Sequence, residues 1–180
     1  KRNKIKQDYE KRLFVSSRRE QAKSYANELF RDGKYKEAAA AYERMLPMAE
    51  EAGDEDLKVA IRSNLCAVRL KEWRWKDALQ EVDNVLALRP NHAKALYRQA
   101  QAYRGLNEMD LALQSIAASR AATAESNKAA LSELDNLENN IRKQLERWAK
   151  EDKERKAAQE RKDRRLRELA KKQKHKMDVR

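Results

Sequence analysis

Residues 59–92 read VAIRSNLCAVRLKEWRWKDALQEVDNVLALRPNH, and residues 93–126 follow directly as AKALYRQAQAYRGLNEMDLALQSIAASRAATAES. Laid over one another at a spacing of 34 residues, they align Asn64 with Arg98 and Ala78 with Ala112. Each stretch contains two segments whose apolar residues recur at helical spacing, separated by turn signals at Trp73–Trp75, at Arg89-Pro90-Asn91 and at Gly105. Ala78, Leu79, Val82, Val85 and Leu86 mark a helix over about 76–88, and Ala112, Leu113 and Ile116 mark one over about 108–122. Self-similarity at this period predicts helix–turn–helix units that bury their apolar faces only by stacking on one another.

The pattern extends upstream. Residues 19–52 form a further unit, set off by a six-residue insertion at 53–58. Ser17-Arg18-Arg19-Glu20 has the form of a capping box, which predicts a helix starting there and running to about Asp32, where Gly33 ends it. A second helix is expected from about Lys36, burying Ala38, Ala39, Tyr42 and Met45 and kinked at Pro47. The next runs from about Glu55 to Lys71, with Ala60, Asn64, Ala67 and Leu70 near one stripe, and another covers about 92–105. Residues 3–15 predict a short helix with Ile5, Tyr9, Leu13 and Phe14 on one face. Downstream, Leu134, Leu137, Ile141, Leu145 and Trp148 form a single apolar stripe over 127–150, suited to covering the open side of the last unit. Beyond Trp148 the sequence turns to acid–base pairs four apart, such as Asp152/Lys156, Glu151/Arg155 and Glu160/Arg164, predicting a solvent-exposed helix.

Composition agrees with an all-α chain. Of 180 residues, 40% are charged and only three are Gly and two Pro. No run of apolar residues is long enough for a membrane span, and residues 1–15 do not read as a signal peptide. With no initiator Met, the chain is expected to be part of a longer protein. One cysteine, Cys66, allows no internal disulfide and points to a reducing, cytoplasmic setting. The net charge is +12, of which residues 1–126 carry +5 and residues 127–180 carry +7. His92 and His175 have no cysteine neighbours, so no metal or other cofactor is expected, and no nucleophile–base arrangement or glycine-rich phosphate loop suggests an enzyme.

The 34-residue period, with Gly33, Tyr35, Ala38 and Tyr42 in the first unit, Ala78 and Pro90 in the second, and Ala100, Tyr103 and Ala112 in the third, resembles the tetratricopeptide repeat. Ala26 stands where that family often has glycine, Arg69 where an aromatic is common and Ala124 where proline is common. The resemblance implies three units, 19–52, 59–92 and 93–126, stacked as a right-handed superhelix. Residues 1–16 are then a helical linker, 17–126 the repeat domain and 127–180 a capping helix with an extended charged tail. Trp73 and Trp75 are expected to fill the space between the second and third units.

Lys23 and Asn27 lie one turn apart on the first helix, Lys94 and Arg98 repeat that spacing, and Asn64 sits on the helix between them. All five side chains donate hydrogen bonds and three are cationic, which suits the carboxylates of an extended acidic peptide, above all a free C-terminus. The set resembles, position for position, the dicarboxylate clamp of tetratricopeptide co-chaperones. The resemblance implies binding of a Glu-Glu-Val-Asp tail of the cytosolic heat shock protein 90 or heat shock protein 70. Lys23, Asn27 and Asn64 would hold the terminal carboxylate and last side chain, and Lys94 and Arg98 the second carboxylate. Replacing Lys94 or Arg98 by Glu is then expected to abolish binding with the fold intact. The insertion and the long last helix are similar to the C-terminal repeat domain of large FK506-binding immunophilins, which implies a prolyl isomerase domain upstream in the parent.

A second reading stays open. Lys171-Lys172-Gln173-Lys174-His175-Lys176 has the composition of a nuclear import or phosphate-binding patch, and 141–156 that of a calmodulin-target helix. On that reading, residues 141–180 bind calmodulin, nucleic acid or the ribosome, and the protein is also nuclear.

Overall fold

The computed structural model describes the backbone of residues 2–178 and the side chains of residues 17–169 and 171. Seven helices follow in order: α1 (Arg2–Arg31), α2 (Tyr35–Glu51), α3 (Glu55–Lys71), α4 (Trp75–Leu88), α5 (Ala93–Gly105), α6 (Met109–Ala121) and α7 (Lys128–Asp178). No strand occurs among the described residues. The short turns make consecutive helices packing neighbours from α1 through α6, and α3 also packs on α5.

One expectation about a helix start is corrected. The helix expected to begin at Ser17 is the continuation of α1, which starts at Arg2. A capping box initiates a helix only where the chain before it leaves helical geometry, and residues 2–16 hold no Gly or Pro to force that. The apolar face expected on Ile5, Tyr9, Leu13 and Phe14 lies outside the described residues. α2 continues past Pro47 to Glu51, with a single backbone donor missing at the proline.

Turn chemistry sets the breaks. Gly33, Gly53, Trp73 and Asn107 all have positive φ, between 62° and 76°. Asp54 caps α3 by accepting from the Leu57 amide at 2.9 Å, and its other oxygen meets Arg19 of α1 at 3.4 Å. His92 caps α5, its Nδ1 accepting from the Ala95 amide at 3.1 Å.

The fold divides into two compact units, Lys1–Leu137 and Glu138–Arg180. In the first, α3 feeds two cores at once. Its Ile61, Leu65 and Val68 join Ala26, Leu29, Ala38, Ala39, Tyr42, Met45 and Ala49. From its other side Val59 and Cys66 join Ala78, Val82, Val85, Ala95 and Ala102. The stripe of Ala60, Asn64, Ala67 and Leu70 is half-buried. A helix between neighbours on both sides buries two faces and leaves the third partly open. Ala112 and Ile116 of α6 and Leu134 and Leu137 of α7 are buried as well.

In the second unit Ile141 is buried, but Trp148 is 40% exposed, so the apolar stripe ends earlier than its spacing suggests. Asp152 pairs with Lys156 at 2.7 Å and also takes Arg155 at 2.8 Å, displacing the expected Glu151/Arg155 pair. Arg164 pairs forward with Glu168 at 3.4 Å rather than back to Glu160. Exposed pairs differ by so little energy that spacing alone does not choose among them. The side chains of residues 172–176 of the basic run lie outside the described residues.

Candidate peptide-binding site

Asn27 on α1, Tyr42 on α2 and Asn64 on α3 meet through one oxygen. The Tyr42 hydroxyl donates to Asn27 Oδ1 at 2.5 Å, and Asn64 Nδ2 reaches the same atom at 3.5 Å. Tyr42 is 2% exposed. Burial pushes its phenol above the ordinary range, opposed by the Asn64 amide and by the charge of Arg98.

Arg98 is the unusual group. It is only 8% exposed, and its Nη1 donates to both the carbonyl oxygen and the hydroxyl of Ser63. Burial holds its guanidinium below the usual arginine range. Among the described residues no carboxylate pairs with it. Nε and Nη2 remain to it, and these form a side-on fork suited to a carboxylate. Lys94, one turn away and exposed, has its ammonium pKa lowered first by the charge of Arg98 and then by partial burial, with Glu133 opposing. His92, the α5 cap, is lowered by burial and then by the same Arg98 charge. Positive potential therefore accumulates around α5 without an acid to cancel it at Arg98.

Of the five residues expected at the site, Asn27 and Asn64 share a hydrogen bond, and Lys94 and Arg98 interact by charge. Arg98 links the two groups electrostatically through Tyr42. Lys23 stands one turn from Asn27 and makes an ion pair with Glu20 on its own helix at 3.6 Å. Sequence reading missed two residues. Tyr42 was expected as core, and its hydroxyl also donates to the Asn27 oxygen that Asn64 approaches. Ser63, the residue before Asn64, is 4% exposed and holds Arg98. A buried serine beside a predicted site residue was the available signal.

A cavity of about 500 Å³ adjoins Lys94 and Arg98 and is lined by Tyr97, Thr123, Ala130, Glu133 and Leu134 among others. Its walls come from α5, the end of α6 and the start of α7. Among the described residues there is no cluster suited to a metal ion, and no helix is long and apolar enough to cross a membrane.

Trp75 lies against Gly105, where an added Cβ would overlap its indole ring. Trp73 is instead 77% exposed, which corrects the expectation that both indoles fill the space between units. Trp73 sits at the left-handed turn position between helices, whereas Trp75 is the first residue of α4 and is carried inward by it.

Comparison with known structures places the fold. The TPR2B domain of yeast Sti1, in its pHsp70 complex, superposes with a TM-score of 0.62 at 26% identity, covering 70% of this chain and 97% of that one. The chain has the fold of a tetratricopeptide repeat domain. The TPR2AB segment of yeast Sti1, in its pHSP90 complex, matches with a TM-score of 0.60 at 26% identity over 68% of this chain and 46% of that one. Among curated proteins, the mitochondrial import receptor subunit TOM34 of Rattus norvegicus is 37% identical over 100 residues, or 54% of this chain and 32% of that protein. The peptidyl-prolyl cis-trans isomerase FKBP4 of Bos taurus is 33% identical over 133 residues, or 67% of this chain and 28% of that protein. The chain thus spans about a third of the length of these tetratricopeptide relatives. No family model matches the chain.

Proposed function

We propose that this tetratricopeptide domain is a co-chaperone module that binds the acidic C-terminal tail of heat shock protein 90 or heat shock protein 70 through a dicarboxylate clamp. One observation carries the reading: a buried arginine, Arg98, with no carboxylate partner among the described residues, depresses the proton affinity of Lys94 beside it. Two like charges held close are relieved by an anion, and a peptide carboxylate is the anion whose geometry the fork fits. Asn27 and Asn64 add amide groups that fix an extended backbone. The yeast Sti1 domains, solved in complex with pHsp70 and pHSP90, support the same class of ligand. The cavity beside Lys94 and Arg98 would take side chains upstream of the acidic pair. Repeat units of this kind supply binding surface, and no catalytic step enters the reading. The setting it implies is cytoplasmic.

Charge-assisted contacts in a shallow wet groove give affinities of about −8 kcal/mol, near micromolar. Lys94→Glu is the clean test, because Lys94 is exposed. Arg98→Glu is not, since it would set a buried carboxylate against the Ser63 carbonyl, and loss of binding there would not separate clamp from fold. Titration calorimetry with a free-acid Glu-Glu-Val-Asp peptide should show binding to the native chain and none to Lys94→Glu at unchanged helicity. Equal affinities would reject the clamp.

A further inference from the structure

We propose that Tyr42 is a positioning residue that decides which end of the Asn27 amide faces the ligand. The inference rests on the carboxylate-clamp reading and deepens it. A side-chain amide has two ends of nearly the same shape, one accepting and one donating, and its orientation is chosen by its hydrogen-bond partners. A buried phenol must donate its proton somewhere, since leaving it unbonded costs free energy. Tyr42 gives it to Asn27 Oδ1 at 2.5 Å, and Asn64 Nδ2 approaches the same oxygen at 3.5 Å. Two donors on one side engage the carbonyl, so Nδ2 and its N–H bonds are left for whatever the groove holds.

The consequence is chemical. With the Asn27 carbonyl engaged, Asn27, Lys94 and Arg98 offer a ligand donors and no acceptor. A free carboxylate satisfies such a set. A C-terminal carboxamide brings an NH2 group that none of these three side chains can accept, and that mismatch is how they would disfavour it. Tyr42, 2% exposed on α2, does not touch the ligand. Phenylalanine would fill the same core space, so the hydroxyl is the part left to explain, and orienting Asn27 is what it does.

The test compares free-acid and amidated peptides ending in Glu-Glu-Val-Asp, titrated into the full chain and its Tyr42→Phe variant. The native chain is expected to prefer the free acid by about tenfold or more, the worth of one poorly matched polar group. In Tyr42→Phe the Asn27 amide is free to turn its carbonyl outward, and the acid-to-amide ratio should shrink several-fold. If the variant weakens both peptides equally and keeps the ratio, Tyr42 is only structural and the proposal is wrong. If the native chain shows no preference for the acid, the clamp reading itself fails, and this one with it. A second measurement needs no variant: the Asn27 side-chain Nδ2 resonance should move on titration with the free acid. A resonance that stays put while neighbouring backbone amides of α1 shift would overturn the assignment.

Discussion

Gly33 and Gly105 show how one residue type is required for two different reasons. Gly33 has φ of 76° in open space, so its need is conformational. Gly105 is an ordinary helical residue whose missing Cβ makes room for the Trp75 ring. Alanine at 105 gains about 1 kcal/mol of helix propensity and loses about 1–3 kcal/mol to overpacking. Gly105→Ala should therefore destabilise the native chain in urea denaturation. In a Trp75→Ala background the sign should invert, with Gly105→Ala stabilising by about 1 kcal/mol. An additive pair would show that the ring and the glycine do not meet. Legibility at this scale was uneven. The identities Lys23, Asn27, Asn64, Lys94 and Arg98 could be picked from spacing alone. The commitment of Arg98 to Ser63 could not, because it joins residues 35 apart on two helices.

Helices are where local signals and packing compete. The capping box at Ser17 was overridden because nothing upstream breaks α1. Pro47 was tolerated because α2 is anchored by Ala38, Ala39, Tyr42, Met45 and Ala49, all buried. The part of α7 beyond Ile141 has no comparable anchor. Most of its side chains are exposed, and its described ion pairs lie on the surface. Such pairs are weakened by screening. Ellipticity followed during heating should show a gradual early loss from residues 142–178, ahead of the cooperative transition of the repeats. Raising salt to about 1 M should enlarge the early phase and leave the later one nearly unmoved. A single transition indifferent to salt would contradict this.

At the scale of the whole domain, stability depends on protons held by buried groups. Burial pushes the Cys66 thiol up to about 12 from 9.0 and raises the phenols of Tyr42 and Tyr97 above 10.0. Each keeps its proton longer when folded than when unfolded. Above the unfolded value the folded chain binds more protons, so the contribution of these groups is full below pH 9.0 and is lost as pH climbs toward 12. Urea midpoints should begin an alkaline decline above pH 9.0. Cys66→Ala should lower the midpoint throughout by opening the core and also flatten the first part of the decline. An alkaline slope identical in both chains would remove Cys66 from the account.

The sequence by itself determined the all-α architecture, the 34-residue period and the donor-rich residue set, because periodicity and side-chain chemistry are local properties. Only the tertiary structure decided that Arg98 is buried on Ser63, that Tyr42 engages the Asn27 carbonyl and that Trp73 faces solvent while Trp75 seats on Gly105. Those outcomes depend on which helix faces meet across unit boundaries. No spacing along the chain records that, because contacts between helices are settled by packing in three dimensions.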